Sequence, residues 1–441
     1  MITAYTSFFN LTDTEVSTIG VIYFSIKAIG AFISCSLTKY LKGRILLINI
    51  CCLIILTTNL SLSFILTKEM LYIERILSGL ASGIIEPLMN NLLCEYLPIR
   101  LRGFTLLAVW TGFNLGQLYP YLFMMLIMPH FETKGIAKTL LLSSSLMFMC
   151  SVICLIYLKD SPRNYILHNQ TEAGLKILEK LTPEKKISPI VKNNIVKELK
   201  EGADQNVEFY SGFDVFKNKF LLLTICVSVL SLISDLIYDG PVLITNITLT
   251  SLRANQKDNN VLLNAIVVIL FTIPSSFIGG ISLEIKFFGR VRTMFMSYLL
   301  LMITLVLGLI FTEYMHIFLG IYQSIANYCS IMAAIYASEV FPGNLRDFSV
   351  GLSLFFSNVG SALSQYVYIA LHRNSTLMPY YFTIECCLVG CIFCCMLSVE
   401  TYQMPLDSFG NYEKNISNLN LEKRSENNSD EEKVNLLKNS D

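Results

Sequence analysis

The chain has 441 residues, of which 53% are hydrophobic and only 15% charged, with a formal net charge of zero and a mean hydropathy of +0.55. Soluble domains carry roughly 25% charged residues, so this composition excludes an ordinary soluble protein, and the charge balance offers no attraction to nucleic acid. Apolar stretches of about 20 residues, enough to cross ~30 Å of hydrocarbon, recur along the chain and are apolar on every face, which predicts membrane helices and not barrel strands.

In chain order, residues 1–16 form a short polar and aromatic lead without a basic region before an apolar core, unlike a signal peptide. Spans are predicted at 17–38, 45–66, 70–93, 104–128 and 137–158. A polar block at 159–217 mixes acidic and basic residues in near-equal number, and Glu172 to Leu181 has helical apolar spacing, so short surface helices are expected there. Six more spans follow at 219–243, 260–283, 293–312, 315–338, 348–371 and 379–398, and the tail from 399 reads as disordered. The expected organisation is an N-terminal bundle over 1–158, a central loop over 159–217, a C-terminal bundle over 218–398 and the tail.

An internal repeat explains the odd count of eleven spans. Gly43-Arg44 recurs as Gly289-Arg290, and Glu95-x-x-Pro98-x-x-x-Arg102 recurs as Glu339-x-x-Pro342-x-x-x-Arg346, a shift of about 245 residues. On that shift the span at 219–243 has no counterpart, so the first half is expected to lack its opening helix. Basic residues concentrate in one set of loops, including Lys39, Lys42, Arg44, Arg100, Arg102, Lys286, Arg290, Arg292 and Arg346, which predicts a cytosolic location for those loops, the central block and the tail. Asn10-Leu11-Thr12 and Asn374-Ser375-Thr376 would then face the other side as glycosylation acceptors.

Two six-helix halves, a long middle loop, Gly-Arg after the second helix of each half and Glu-x-x-Pro-x-x-x-Arg after the fourth resemble the major facilitator superfamily. Finer similarity is to its sugar-porter, organic-ion and synaptic-vesicle-protein-related branch, through Arg75-Ile76-Leu77-Ser78-Gly79, Glu95-Tyr96-Leu97-Pro98, Asp160-Ser161-Pro162-Arg163, Ser338-Glu339-Val340-Phe341-Pro342, Glu400-Thr401 and Pro405-Leu406. The resemblance covers about 11–405 and implies an all-α membrane protein of two pseudo-symmetric bundles that moves a small organic solute by alternating access, as a monomer, with protons or Na+ as coupling ions. It also implies that Arg44, Glu95 and Arg102 in one half, and Arg290, Glu339 and Arg346 in the other, form ion-pair networks that close the cytosolic gate. The chain departs from the family at Tyr40 and Lys286, where loop aspartates are expected, and Arg75 lacks the acid that the missing helix would supply.

Ionisable residues within spans are costly and so are candidates for function. Arg75, Gly79, Ser82, Gly83 and Glu86 fall on one helical stripe, with Glu86 roughly 13 Å from Glu95 along the helix. Glu86 reads either as a cavity-facing group or as the structural partner of Lys27, itself at mid-span. Asp235 and Asp239 share one helix face, and Gly240-Pro241 after them is expected to break or kink the helix and open backbone groups to a site. Asn114, Gln117, Gln323, Asn327 and Asn358 read as solute contacts or as interhelical hydrogen bonds, and Tyr238, Tyr322 and Tyr328 as stacking surfaces or packing.

Cys391-x-x-Cys394 and the other cysteines of that span read as helix packing, with neither metal nor cofactor implied. No span carries a His-Glu-x-x-His motif or any histidine base, so an enzyme is not expected. The two functional readings are a transporter of an organic ion, a nicotinate-like anion or a sugar, favoured by the Arg75 to Glu86 stripe, and a non-transporting receptor, sensor or vesicle-associated binding protein, favoured by Tyr40 and Lys286.

Overall fold

The computed structural model describes residues 9–402 apart from 10, 41–43, 98–101, 132–140, 182–211, 253–260 and scattered positions elsewhere. The described residues form twelve α-helices and a short 3-10 turn at Gly212–Phe216: α1 Asp13–Tyr40, α2 Arg44–Phe64, α3 Lys68–Tyr96, α4 Arg102–Phe131, α5 Pro162–Leu167, α6 Thr171–Leu181, α7 Asn218–Leu252, α8 Val261–Leu283, α9 Val291–Ile310, α10 Met315–Val340, α11 Gly343–Asn374 and α12 Met378–Met396. Seven stretches within them are long and apolar enough to cross a membrane. Helix α11 is long but polar for a span, because Ser349, Ser353, Ser357, Ser361 and Ser364 run down it at steps of three and four. Half of the expected span at 137–158 falls on positions outside the described residues, as do most of the central block and the tail.

Local chemistry sets the helix ends. Thr67 caps α3, its hydroxyl accepting from the Met70 N–H at 3.3 Å. The repeated prolines stop α3 and α10 in the same way: Leu97 before Pro98 and Phe341 before Pro342 both turn to extended backbone, since a proline's ring disfavours helical geometry in the residue before it. Each turn leaves a glutamate, Glu95 or Glu339, in the last helical turn. There the helix dipole disfavours an anion, so each glutamate needs a cation beside it.

The halves pack as copies. On the 245-residue shift α1, α2, α3 and α4 correspond to α8, α9, α10 and α11, and the packing follows: α1 on α3 matches α8 on α10, α2 on α3 matches α9 on α10, and the cross-half pair α1 on α11 matches α8 on α4. This is an all-α architecture of two pseudo-symmetric bundles. Cys94 and Ser338, equivalent under the repeat, meet each other at 3.1 Å, which places the ends of α3 and α10 together at the pseudo-twofold axis.

Because lipid is as apolar as leucine, helix association here depends on close packing and on polar contacts. Gly83 of α3 lies directly on the Lys27 backbone of α1, and Gly360 of α11 on the Leu232 backbone of α7, with no room for a Cβ. The largest apolar core joins α7, α9, α10 and α12 and includes Tyr298, Cys387, Cys391 and Cys394, so these cysteines pack among apolar side chains.

Of the break or kink expected at Gly240-Pro241, the break is corrected. Helix α7 runs through both residues to Leu252, nine residues beyond the anticipated end at 243. Pro241 cannot donate to the Ile237 carbonyl one turn back, but the Tyr322 hydroxyl of α10 does, at 2.6 Å, and Gln323 Nε2 donates to the next carbonyl, Tyr238, at 3.4 Å. Gly240 instead admits the Tyr368 ring of α11, which occupies the space of a Cβ.

Candidate functional site

A cavity of about 250 Å³ lies between the halves. Helix α1 contributes Tyr23, Phe24 and Lys27, α3 contributes Glu86, and α4 contributes Trp110, Phe113 and Gln117. From the other half come Asp235, Tyr238 and Asp239 of α7, Asn327 and Ser330 of α10, and Ser353, Ser357 and Ser361 of α11. Lys27 Nζ stands 2.9 Å from Glu86 Oε2, both side chains about one-fifth exposed or less. Both readings of Glu86 therefore hold geometrically, since the pair is an ion pair and also part of the cavity wall. Across from it, the two oxygens of Asp235 accept hydrogen bonds from the hydroxyls of Ser330 and Ser357. Ser231 and Ser353 join α7 to α11 at 2.7 Å, and Tyr238 donates to Gln117 Oε1 at 3.4 Å.

Several candidates from the sequence stand outside this wall. Arg75 lies over the Tyr23 ring at 5.7 Å and beside Glu74 at 3.2 Å, so its stripe turns toward α1 and only Glu86 reaches the cavity. Asn114 is fully buried and donates to Ser276 of α8 at 3.3 Å, an interhelical contact. Gln323 and Tyr322 serve the α7 backbone, Asn358 bonds the Leu354 carbonyl of its own helix, and Tyr328 meets Ser282 of α8. Gln117, Asn327, Lys27, Glu86, Asp235, Asp239 and Tyr238 are brought together.

At the Gly-Arg end two charge networks form. Arg44 pairs with Glu95 at 3.0 Å and with Asp347 of α11 at 3.2 Å, and Asn91 donates to Asp347 at 2.7 Å. Asp160 Oδ2 accepts the Arg44 N–H that opens α2, at 3.0 Å, while the Ser161 hydroxyl donates to Glu95. The second half repeats the scheme: Arg290 pairs with Glu339 at 3.0 Å, Glu400 accepts the Arg290 and Val291 N–H groups at 2.6 and 3.1 Å, and Thr401 donates to Glu339 at 2.8 Å. Both acids thus cap a helix N-terminus, where orphan N–H groups and the dipole favour an anion. Gly289 has a positive φ of 61°, and the Glu400 carboxyl lies against it where a Cβ would stand. Arg102 and Arg346 are buried at this end, 4% and 1% exposed.

A family model described as Major Facilitator Superfamily matches residues 1–365. The chain belongs to that superfamily. Its fold matches the proton:xylose symporter XylE of E. coli, with a TM-score of 0.73 at 15% identity over 93% of each chain in a form bound to 6-bromo-6-deoxy-D-glucose, and of 0.68 at 16% identity over 92% of this chain and 94% of that one in a partially occluded inward-open form. Among curated proteins, the 4-hydroxybenzoate transporter PcaK of Pseudomonas aeruginosa is 29% identical over 126 residues, 28% of each chain. A synaptic vesicle 2-related protein of Xenopus laevis is 22% identical over 337 residues, 71% of this chain and 59% of that one. The matched region spans less than two thirds of either curated relative.

Within this superfamily member, the serines around Asp235, together with Trp110 and Phe113, went unread in the sequence. A serine every fourth residue from 349 to 361 was the available signal. The closing members of the two networks were visible as an acid-hydroxyl pair, Asp160-Ser161 and Glu400-Thr401, repeated 240 residues apart. Asp347 and Asn91 carried no such sign.

Proposed function

We propose that this chain is a secondary active or facilitative transporter that moves a small organic solute across a membrane by rocking its two halves about the central cavity. The observation that carries the reading is that both halves wall one polar cavity, while contacts between the halves, Arg44 with Asp347 and Cys94 with Ser338, close the Gly-Arg end. In a major facilitator protein that arrangement suits alternating access, with solute reached from one end while the other is shut. The Gly-Arg end is the cytosolic one by the distribution of basic loop residues, and Lys27, Glu86, Asp235, Gln117 and Asn327 are the proposed solute or coupling contacts. Arg44 and Glu95, with Asp347 across the halves, form the gate, and Arg290 with Glu339 braces the second half at the same end, with protons or Na+ as the coupling ions where transport is driven.

A second reading, a binding protein that does not transport, is favoured by Tyr40 and Lys286 at the two loop positions where the family resemblance expects aspartate. Uptake by proteoliposomes carrying the full chain separates the two. Accumulation of at least one member of a panel of sugars, organic cations and aromatic carboxylates such as 4-hydroxybenzoate supports transport. Binding of a panel member without any uptake would move the assignment to the second reading.

A further inference from the structure

We infer that the solute taken by the central cavity is a small organic cation, an ammonium head on an aromatic or apolar body, held by Asp235 and Asp239. The inference deepens the transport reading and rests on it only for movement of the solute, not for its binding. Among the described residues, three carboxylates, Glu86, Asp235 and Asp239, face the cavity against a single ammonium, Lys27. Helices α4, α10 and α11 add hydroxyls, amides and rings to the wall but, among the described residues, no charge. Lys27 is engaged by Glu86 at 2.9 Å. When ionised, the two aspartates on α7 therefore carry an excess of negative charge inside a low-dielectric wall, a state that is strongly disfavoured unless a proton or a counter-charge meets it. A cationic solute supplies that charge.

The surroundings of the aspartates fit the same ligand. Serine hydroxyls from α10 and α11 fix both oxygens of Asp235 in place, and a carboxylate oxygen has acceptor capacity beyond one hydrogen bond, so the outward lone pairs can receive an ammonium. The first half contributes Tyr23, Phe24, Trp110 and Phe113 to the same wall, with Trp110 and Phe113 edge to face at 5.9 Å. Aromatic faces attract cations through their quadrupole and are the usual lining for ammonium heads. Asn327, 2% exposed on the cavity wall, has a side-chain N–H group with no hydrogen-bond partner among the described residues. It can donate to a hydroxyl or carbonyl oxygen on the solute. The volume, about 250 Å³, lies just under the ~300 Å³ lower end of ordinary ligand pockets, which restricts the cation to a small one.

The other solute classes fit less well. An aromatic carboxylate would have to draw Lys27 away from Glu86 and then face three carboxylates. A sugar brings no charge, so both aspartates would have to be met by protons instead.

Trp110 is the chain's single tryptophan and lines the cavity, so intrinsic tryptophan fluorescence of the purified full chain reports occupancy directly. Titration with phenethylamine and with tetraethylammonium is expected to give a saturable change that neither xylose nor 4-hydroxybenzoate gives. Asp239→Asn should weaken that binding by about tenfold or more. Asp235→Asn should do the same, and if it fails to fold, Asp239→Asn and competition on the unaltered chain carry the test. Saturable binding of xylose or 4-hydroxybenzoate in place of the cations overturns the inference, as does a response to Na+ or protons alone with which the amines do not compete. So does unchanged amine affinity in Asp239→Asn. Proteoliposome uptake keeps the two conclusions apart: amine binding without uptake removes the transport reading and leaves this one, whereas uptake of an anion or a sugar does the reverse.

Discussion

Arg44 and Arg290 occupy equivalent places in the two halves, each opening a helix over an acidic cap and each paired with the glutamate that ends another, yet they differ in their third contact. Arg290 turns inward, donating to the Leu283 carbonyl at 3.0 Å, and the backbone at Gly103 packs against its guanidinium. Arg44 reaches across to Asp347 of the other half. Gly103 and Asp347 are themselves equivalent under the repeat, each following the arginine of its Pro-x-x-x-Arg turn. One substitution between otherwise matched sites has made one network a sealed intra-half pair, 1% and 3% exposed, and the other a bridge whose outer member is 31% exposed. A contact within one half survives any rigid movement between halves. A contact across them must break when that end opens, and only such a contact can bias the equilibrium between closed and open forms.

The largest effect should come from the sealed pair. Arg290→Ala leaves Glu339 buried without its cation, a defect that costs about 3–5 kcal/mol in comparable buried pairs. The expected result is a large fall in the melting temperature of the detergent-purified protein. Melting within a degree of the unaltered chain would mean that Arg290 contributes nothing to holding this half together, and the contrast with Arg44 would lose its basis.

The bridge should respond differently. Asp347→Asn keeps the shape and one polar contact with Asn91 but removes the charge that Arg44 meets. Because the pair is partly solvated, about 1 kcal/mol is a fair measure of what is lost, or about a fivefold shift toward the open form. Cys94 is a native reporter, 1% exposed and shut beneath Ser338 at the closing end. Its alkylation by a maleimide, followed by mass spectrometry of the peptide, should quicken about fivefold with little change in melting temperature. Glu95→Gln, which weakens the same network from within its half, should act in the same direction. Faster unfolding without faster Cys94 labelling would show that Asp347 supports the fold and does not gate it.

What could be read from the sequence divides along the same line between local and non-local causes. The two-half architecture was legible because the signals that build it are local: a proline ends α3 and α10 at the same register, and a glycine-arginine pair opens the following network. The Gly240-Pro241 break was misjudged because the donors that relieve Pro241, Tyr322 and Gln323, lie about 80 residues away on α10. Asn114 and Gln323 carry the same chemistry as Gln117 and Asn327, and only the rotation of their helices separates interhelical contact from cavity wall. Lys27 and Glu86 were seen as alternatives, partner or cavity group, that the packing of α1 on α3 makes compatible. The serine ladder of α11 was missed because a single serine in a span means little, and its meaning comes from Asp235 on the facing helix.

The smallest effect tests whether the asymmetry itself matters. Gly103→Asp would place a carboxyl where Asp347 stands in the other half, facing Arg290 Nη2, which lies 2.8 Å from the position a Cβ would take. The atom in the way is the end of a flexible side chain, so the guanidinium can shift to meet the new acid, offsetting part of the crowding. If the cross-half bridge is what holds this end closed, a second copy of it should slow Cys94 alkylation, by no more than about fivefold given the ~1 kcal/mol scale of such pairs. It should also partly restore slow labelling in an Asp347→Asn background. Labelling of the double variant as fast as that of Asp347→Asn alone would indicate that closure depends on Arg44 in particular, and that a bridge from Arg290 cannot replace it.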